Sequence, residues 1–134
     1  MSRSFKLKPV GIIKKNDGKI RIKIFDEYSD ALLGLDGFSH IYVLYWFHEN
    51  DAPEKRRILQ VHPRGNRNNP LTGVFATHSP LRPNLVALAL CKITAINGNQ
   101  IEIEDIDALD GSPVIDIKCY IPDSVPNVRL PDWV

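Results

Sequence analysis

The sequence predicts an all-β fold, with about six or seven short strands and one short helix arranged as a small antiparallel barrel or sandwich. Apolar and polar residues alternate in Lys19–Phe25 and Gln100–Ile106, which is the period of half-buried strands. Glycine-containing turn sequences precede both segments, at Asn16–Gly18 and Asn97–Asn99. The 134 residues match the size of one ordinary domain. Because no repeat or linker interrupts them, we expect a single domain over residues 1–134.

The N-terminal part of the chain predicts a hairpin followed by a short helix. Val10–Ile13 lies before the first turn sequence and supplies the partner strand. In Asp26–Leu35, the pair Ser29-Asp30 is a possible N-cap, and Ala31 to Leu33 follows it. Gly34 or Gly37 would end a helix of about two turns.

The middle of the chain contains one strongly apolar segment. His40–His48 is aromatic and β-branched on both faces, which favours a central strand. Arg57–His62 alternates again and predicts another strand. Pro63–Pro70 is rich in Pro, Gly and Asn and predicts a loop, after which Gly73–Thr77 predicts a short strand.

The C-terminal part predicts a second hairpin and a last strand. Leu85–Ile96 is a long apolar run, and Pro83 before it favours a strand over a helix. This strand pairs with Gln100–Ile106 across the second turn. Pro113–Ile121 predicts another strand, whereas the proline-rich tail Pro122–Val134 is irregular.

Composition and spacing exclude several classes of protein. The longest apolar run, Ile41–Phe47, is far shorter than the about 20 residues of a membrane span. No signal-peptide core is present near the N-terminus, so we expect a cytoplasmic protein without a membrane partner. Cys91 and Cys119 lie inside apolar runs and are expected to be reduced core residues. We expect no metal site, because His40 and His48 would lie about 26 Å apart on one strand.

Two segments carry concentrated charge of opposite sign. From Lys55 to Arg82 all charged residues are basic, which suits either a solvated face or a site for phosphate or nucleic acid. From Glu102 to Asp116 all charged residues are acidic. Within that segment Asp107–Pro113 combines two carboxylates with a tight turn. It could serve turn chemistry alone, or it could line a pocket for a cation or hydroxyl groups.

Three blocks of sequence resemble the TsaA-like family, whose best-characterised members are the TrmO-type tRNA methyltransferases. The blocks are GLDGFSHIYVLYWFH (34–48), GVFATHSPLRPN (73–84) and DIDALDGSPVIDIKCYIP (105–122). The resemblance implies a β-barrel, a homodimer and S-adenosylmethionine as cofactor, bound near the subunit interface. It also implies tRNA as partner, with methylation of the exocyclic amine of threonylcarbamoyladenosine beside the anticodon.

The resemblance also implies positions for a cofactor site and an RNA site. The residues expected to border the cofactor are His48, Glu49, Phe75, His78, Leu88, Asp107, Asp110, Gly111, Ser112 and Pro113. Phe75 or Tyr120 could face the sulfonium through a cation–π contact. The residues expected to bind anticodon-loop phosphates are Arg64, Arg67 and Arg82. Arg82 could instead hold a turn by bonding carbonyls, and no catalytic base is identified.

The sequence departs from the family pattern at three places. Only five residues, KKNDG, separate Ile13 from Lys19, where members typically carry a longer loop. His78 stands where members usually have Arg, and Leu85–Leu88 replaces a Pro-Ile-Gly segment. Two hypotheses therefore remain. The first is an S-adenosylmethionine-dependent tRNA methyltransferase. The second is a non-catalytic dimeric β-barrel binding protein with a lost or altered cofactor site.

Overall fold

The computed structural model describes residues 3–134, which form two compact units. The first unit consists of the described residues up to Glu49 together with Val86–Tyr120. The second consists of Asn50–Leu85 and Ile121–Val134. A single domain over residues 1–134 remains a prediction.

The described residues contain eight strands and several short helical turns. The strands are β1 Gly11–Asn16, β2 Lys19–Ile24, β3 His40–Trp46, β4 Gln60–Val61, β5 Thr72–Gly73, β6 Val86–Asn97, β7 Gln100–Ile103 and β8 Pro113–Cys119. The single α-helical turn in these residues is α1, Pro53–Arg56. The 3₁₀ turns are Asp26–Leu32, Leu35–Gly37, His48–Asn50, Pro63–Gly65 and Val74–Ala76.

The first unit is a closed antiparallel barrel of six strands in the order β1-β2-β7-β6-β3-β8. Residues on alternate positions point inward, and Ile13, Ile22, Ile101 and Val114 are fully buried. Complete burial of such a side chain stabilises the fold by about 1.5–3 kcal/mol. The predicted all-β fold with a small antiparallel barrel is therefore confirmed.

The two predicted hairpins owe their turns to residues that tolerate positive φ. Asp17 and Gly18 join β1 to β2 with φ values of 53° and 70°, as a type I′ turn requires. Gly98 opens the turn between β6 and β7 with φ of 59°, as a type II′ turn requires. The strand predicted to reach Ile106 ends at Ile103. Two residues beyond that end, the Asp105 carboxylate accepts the Ile106 N–H at 2.9 Å. This N–H is therefore not paired with a carbonyl of a neighbouring strand.

The predicted central strand lies between β6 and β8, as expected. Ile41, Val43 and Tyr45 point into the barrel. Cys91 of β6 is also buried there, and both cysteines are free. Burial is the main cause that raises the pKa of the Cys91 thiol to about 11, with a smaller effect from the Asp105 charge. The thiol is therefore protonated at neutral pH.

The helix expected near Asp26 forms, but its start was predicted wrongly. It begins at Asp26 rather than after Ser29-Asp30, and it is a 3₁₀ helix through Leu32. Phe25 precedes it without a side-chain cap, and its carbonyl accepts the Tyr28 N–H at 2.9 Å. A backbone bond of this kind leaves no trace in the sequence. Gly34, with φ of 85°, follows the helix as predicted.

The second unit contains the two-stranded sheet of β4 and β5, and two strand predictions in it were wrong. The predicted strand Gly73–Thr77 is a 3₁₀ turn beyond Gly73, because Thr77 donates from both its N–H and its hydroxyl to the Val74 carbonyl. The strand predicted over Arg57–His62 is reduced to Gln60–Val61. Its start is lost because the Ile58 N–H continues the preceding turn to the Lys55 carbonyl. The tail is irregular, as predicted.

No helix within residues 3–134 is long and apolar enough to cross a membrane.

We expect Gly11→Ala to destabilise the barrel. A Cβ at this position would lie 2.5 Å from the Lys23 carbonyl oxygen on the neighbouring strand, which is closer than non-bonded atoms allow. Relieving this overlap should cost about 1–3 kcal/mol in the free energy of unfolding, measured by urea denaturation. Gly37→Ala is the matched control, because its Cβ would meet no atom within 4 Å. Equal stability of the two variants would contradict the close approach of β1 and β2.

Candidate functional site

The turn Asp107–Pro113 lies between β7 and β8 and is held against β1. The Gly111 N–H donates to the Ile13 carbonyl at 2.8 Å, and the Ile13 N–H donates to the Ser112 carbonyl at 3.0 Å. Gly111 has φ of 84°, which favours glycine at this position. Ser112 is 2% exposed, and its hydroxyl donates to the Leu109 carbonyl at 2.7 Å. The turn is thus a rigid support built from backbone bonds.

Asp110 connects this turn to β1 through its side chain. Its Oδ1 accepts the backbone N–H of Lys15 at 2.7 Å. In return, Nζ of Lys15 donates to the Ile106 carbonyl at 2.8 Å. The Asp110 side chain is nonetheless exposed, so its other oxygen remains accessible to a ligand.

Asp107 is the second exposed carboxylate of the turn. Burial raises the pKa of Tyr45 inside the barrel, and the negative charge of Asp107 is the second cause of this shift. The Tyr45 ring packs edge-on against Phe47 at a centroid distance of 5.7 Å. Asp107 and Asp110 together provide acceptors for amino or hydroxyl groups of a ligand.

Three other residues of the first unit that are predicted to border the cofactor lie just after β3 and on the outer face of β6. His48 is half-buried and begins the 3₁₀ turn that follows β3, with exposed Glu49 next to it. Leu88 lies on the outer face of β6 and is 64% exposed. Tyr120, considered above for a sulfonium contact, packs edge-on against Tyr42 at 5.4 Å.

Phe75 and His78 belong to the second unit, and both are exposed. Phe75 is 85% exposed, so its ring is not a core group of that unit. Two side-chain hydroxyl groups bond the backbone of the loop after Phe75. Thr77 Oγ1 accepts the Ser79 N–H at 3.1 Å, and Ser79 Oγ accepts the Leu81 N–H at 3.1 Å. These bonds fix the loop that carries His78.

The three arginines predicted to bind RNA differ in their surroundings. Arg64 and Arg67 are exposed on the loop after β4, and Arg64 adopts a positive φ of 59°. Arg82 instead donates from Nη1 to the carbonyls of Thr77 at 3.2 Å and Ser79 at 3.0 Å. Its guanidinium therefore holds the His78 loop, which is the structural alternative considered for it.

Arg56 has a structural role that the sequence does not predict, where it is one of the cations between Lys55 and Arg82. Its Nε donates to the Pro83 carbonyl at 2.7 Å, and its Nη2 donates to Asn84 Oδ1 at 3.4 Å. An ion pair at 3.2 Å joins Nη1 to Asp51. These partners lie up to 28 positions away in the chain, so no local pattern could have identified them.

An open groove in the first unit was also missed. It has a volume of about 460 Å³ and lies between the 3₁₀ turns after β2 and strand β8. Its lining is mostly apolar, with Tyr28, Leu35, Phe38, Ile117 and Cys119, and it includes Asp116. None of the residues predicted to border the cofactor lines it.

Among residues 3–134 no group of three or more metal-ligating side chains comes together.

Comparison with known proteins identifies the family. The sequence profile of the family described as the tRNA-methyltransferase O N-terminal domain matches residues 8–124. The chain belongs to this TrmO family. The predicted resemblance is therefore confirmed over nearly the whole sequence.

Relatives within the family differ greatly in length. A probable S-adenosyl-L-methionine-binding protein of Methanocaldococcus jannaschii is 51% identical over 114 residues, which cover 85% of this chain and 90% of that protein. The tRNA (adenine(37)-N6)-methyltransferase of Homo sapiens is 42% identical over 115 residues, covering 84% of this chain but 25% of the human protein. The crystal structure of TrmO from Pseudomonas aeruginosa matches with a TM-score of 0.71 and 25% identity, over 95% of this chain. This chain spans 62% of that TrmO chain.

We expect Asp110→Ala to loosen the contact between β1 and the turn. It removes the acceptor of the Lys15 N–H, which should lower the free energy of unfolding by about 1–2 kcal/mol. Asp110→Asn is the matched control, because its side-chain oxygen can still accept this bond. Amide exchange at Lys15 should accelerate in the alanine variant alone. Equal exchange in both variants would show that the side-chain bond does not hold the turn.

Proposed function

We propose that this TrmO-family chain binds S-adenosylmethionine and transfers its methyl group to tRNA, at N6 of adenine 37. The observation that carries the proposal is the family match over residues 8–124. The M. jannaschii relative, named for cofactor binding, matches over 90% of its length. The human relative, named for methylation of adenine 37, is about four times as long as the matched region.

The groups available in each unit suit this cofactor chemically. When bound, S-adenosylmethionine supplies an electrophilic methyl group on a positively charged sulfonium. Asp107 and Asp110 would accept hydrogen bonds from its amino or ribose hydroxyl groups. The exposed ring of Phe75 would attract the sulfonium through a cation–π contact. His48, Glu49, His78, Leu88 and the backbone of Gly111, Ser112 and Pro113 would complete the surroundings of the cofactor.

The proposed tRNA substrate carries threonylcarbamoyladenosine, and its exocyclic amine receives the methyl group. Exposed Arg64 and Arg67 would bind phosphates of the anticodon loop. Arg82 would contribute by holding the His78 loop through its two carbonyl contacts. Catalysis in this scheme relies on orientation of the amine, because no side chain is assigned as its base.

The proposal includes a cytoplasmic homodimer formed by single-domain chains. Leu88 and Leu90 support the dimer, since they are 64% and 50% exposed on the outer face of β6. Across the strand pair they lie opposite Leu44 and Tyr42 of β3. A second copy covering these side chains would bury apolar surface that one copy leaves in water.

A second candidate function is a dimeric β-barrel that binds its partners without catalysis. Two observations favour it: the β1–β2 turn contains only Asp17 and Gly18, and His78 replaces the usual arginine. A short turn offers fewer groups to a cofactor, and histidine lacks the permanent charge and forked donors of arginine.

Calorimetric titration and methyl transfer distinguish these functions. We expect the purified chain to bind S-adenosylmethionine and to transfer labelled methyl to a tRNA pool. Anticodon stem-loops with and without the threonylcarbamoyl group on adenine 37 then define the substrate, and the modified stem-loop should react. Absence of cofactor binding would overturn the proposal. Cofactor binding without transfer to any tRNA would favour the second candidate.

Two matched variants test whether the cofactor binds at the Asp107–Pro113 turn. Asp107→Asn should weaken cofactor binding about tenfold, because it removes a charge-assisted hydrogen bond. Glu104→Gln removes one negative charge from an exposed position nearby in sequence and should leave affinity unchanged. Equal effects of the two variants would place the cofactor away from the Asp107–Pro113 turn.

A further inference from the structure

Positive charge is concentrated at the start of the chain. Residues 3–24 contain eight of the 17 basic residues but only one of the 16 acidic residues, Asp17. Because the whole chain has a net charge of +1, the remaining residues are net negative. This basic segment lies in the first unit, whereas Arg64 and Arg67 lie in the second.

The fold places much of this charge on the outer face of the β1–β2 hairpin. Ile13, Ile22 and Ile24 point into the barrel, so the alternate residues point outward. Lys14 lies directly opposite Arg21 in the strand register, and Lys19 lies opposite Asn16. Lys23 also points outward on β2, where successive outward-pointing side chains are spaced by about 6.8 Å.

The charges of this face are poorly balanced within the protein. Like charges directly opposite each other, such as Lys14 and Arg21, destabilise a strand pair. Arg21 is compensated in part, because its Nε lies 3.8 Å from Glu102 Oε2. Lys14, Lys19 and Lys23 are all exposed, and within residues 3–134 no carboxylate lies within 4.0 Å of their ammonium groups. A polyanion bound here would relieve the repulsion.

The residues that precede β1 in the chain carry further exposed basic side chains. Arg3, Lys6 and Lys8 are exposed, and Phe5 between them is 82% exposed. Cations that contact phosphates, combined with an aromatic ring on which a base can stack, are the usual elements of single-stranded RNA binding.

We propose that the outer face of the β1–β2 hairpin, together with residues 3–8, is an RNA-binding surface. It contacts phosphates of the tRNA separately from the Arg64–Arg67 loop. The inference rests on the proposed tRNA substrate and assigns a second surface to it. An anionic membrane is the less suitable partner of the hairpin face, because peripheral membrane binding requires apolar side chains beside the cations, and the one apolar residue among the outward positions of the hairpin, Ile12, is half-buried. Phe5 and Leu7 are exposed before the hairpin, so binding to anionic vesicles is measured as a separate outcome.

The test compares two triple variants that lose the same charge. The first combines Lys14→Gln, Lys19→Gln and Lys23→Gln. The second, as control, combines Lys92→Gln, Lys118→Gln and Arg129→Gln, which are exposed elsewhere in the chain. Affinity for an anticodon stem-loop is measured by fluorescence anisotropy over a range of salt concentrations. Thermal unfolding and calorimetry with S-adenosylmethionine verify that each variant is folded and binds cofactor.

We expect the hairpin variant to bind the stem-loop at least about tenfold more weakly at low salt. The slope of log affinity against log salt should fall by about 2 to 3, because each lost phosphate contact removes nearly one unit. Equal losses in both triple variants, or an unchanged slope in the hairpin variant, would overturn the inference while leaving the proposed function intact. Failure of the wild-type chain to bind any RNA would overturn both. Binding of the hairpin face to phosphatidylserine vesicles but not to RNA would identify a membrane contact instead.

Discussion

The hydrogen bonds between β1 and β8 are the constraint on which the first unit depends. They close the barrel through a short paired stretch, in which Gly11 lies opposite Val114 and Ile12 lies opposite Pro113. The Val10 N–H extends this seam by donating to the Val114 carbonyl at 2.7 Å. Closure removes the free edges that β1 and β8 would otherwise expose. Gly11 makes it possible for β1 to contact β8 on one side while lying very close to Lys23 of β2 on the other.

The same seam positions the groups proposed to bind the cofactor. Beyond Val114 it continues as the bonds that tie Gly111 and Ser112 to Ile13, and then as the bond from Lys15 to Asp110. The Asp107–Pro113 turn is therefore fixed by the barrel rather than free to adapt. The Asp110 carboxylate is held in this way and loses little conformational freedom when a ligand binds, so more of its interaction contributes to affinity. If the cofactor binds this turn as proposed, barrel stability and cofactor binding depend on shared contacts.

Much of the barrel could be predicted from the sequence because its determinants are local. Alternation in Lys19–Phe25 and the Asp17-Gly18 turn specify the first hairpin, and Gly98 specifies the second. The errors arose where a contact to a distant or backbone group decides the structure. Thr77 bonds the Val74 carbonyl and converts an expected strand into a turn. The helix near Asp26 starts on a backbone carbonyl, and no residue type indicates that.

The candidate site is predicted from family resemblance more than from residue chemistry, and it stays a prediction. Asp107 and Asp110 stand out as paired carboxylates in a turn, but the bond that attaches Asp110 to β1 joins residues 95 positions apart. The basic residues from Lys55 to Arg82 also looked equivalent in sequence. In the structure Arg56 and Arg82 hold backbone carbonyls, whereas Arg64 and Arg67 are exposed. Charge composition cannot separate a structural arginine from one available to RNA, because both depend on which carbonyls lie nearby.

The most direct test of a cofactor site supported by the barrel seam is amide hydrogen exchange with and without S-adenosylmethionine. We expect slower exchange in Asp107–Pro113 and at Lys15 when the cofactor is present. Unchanged exchange in the turn at saturating cofactor, or protection confined to the groove lined by Tyr28 and Phe38, would contradict it.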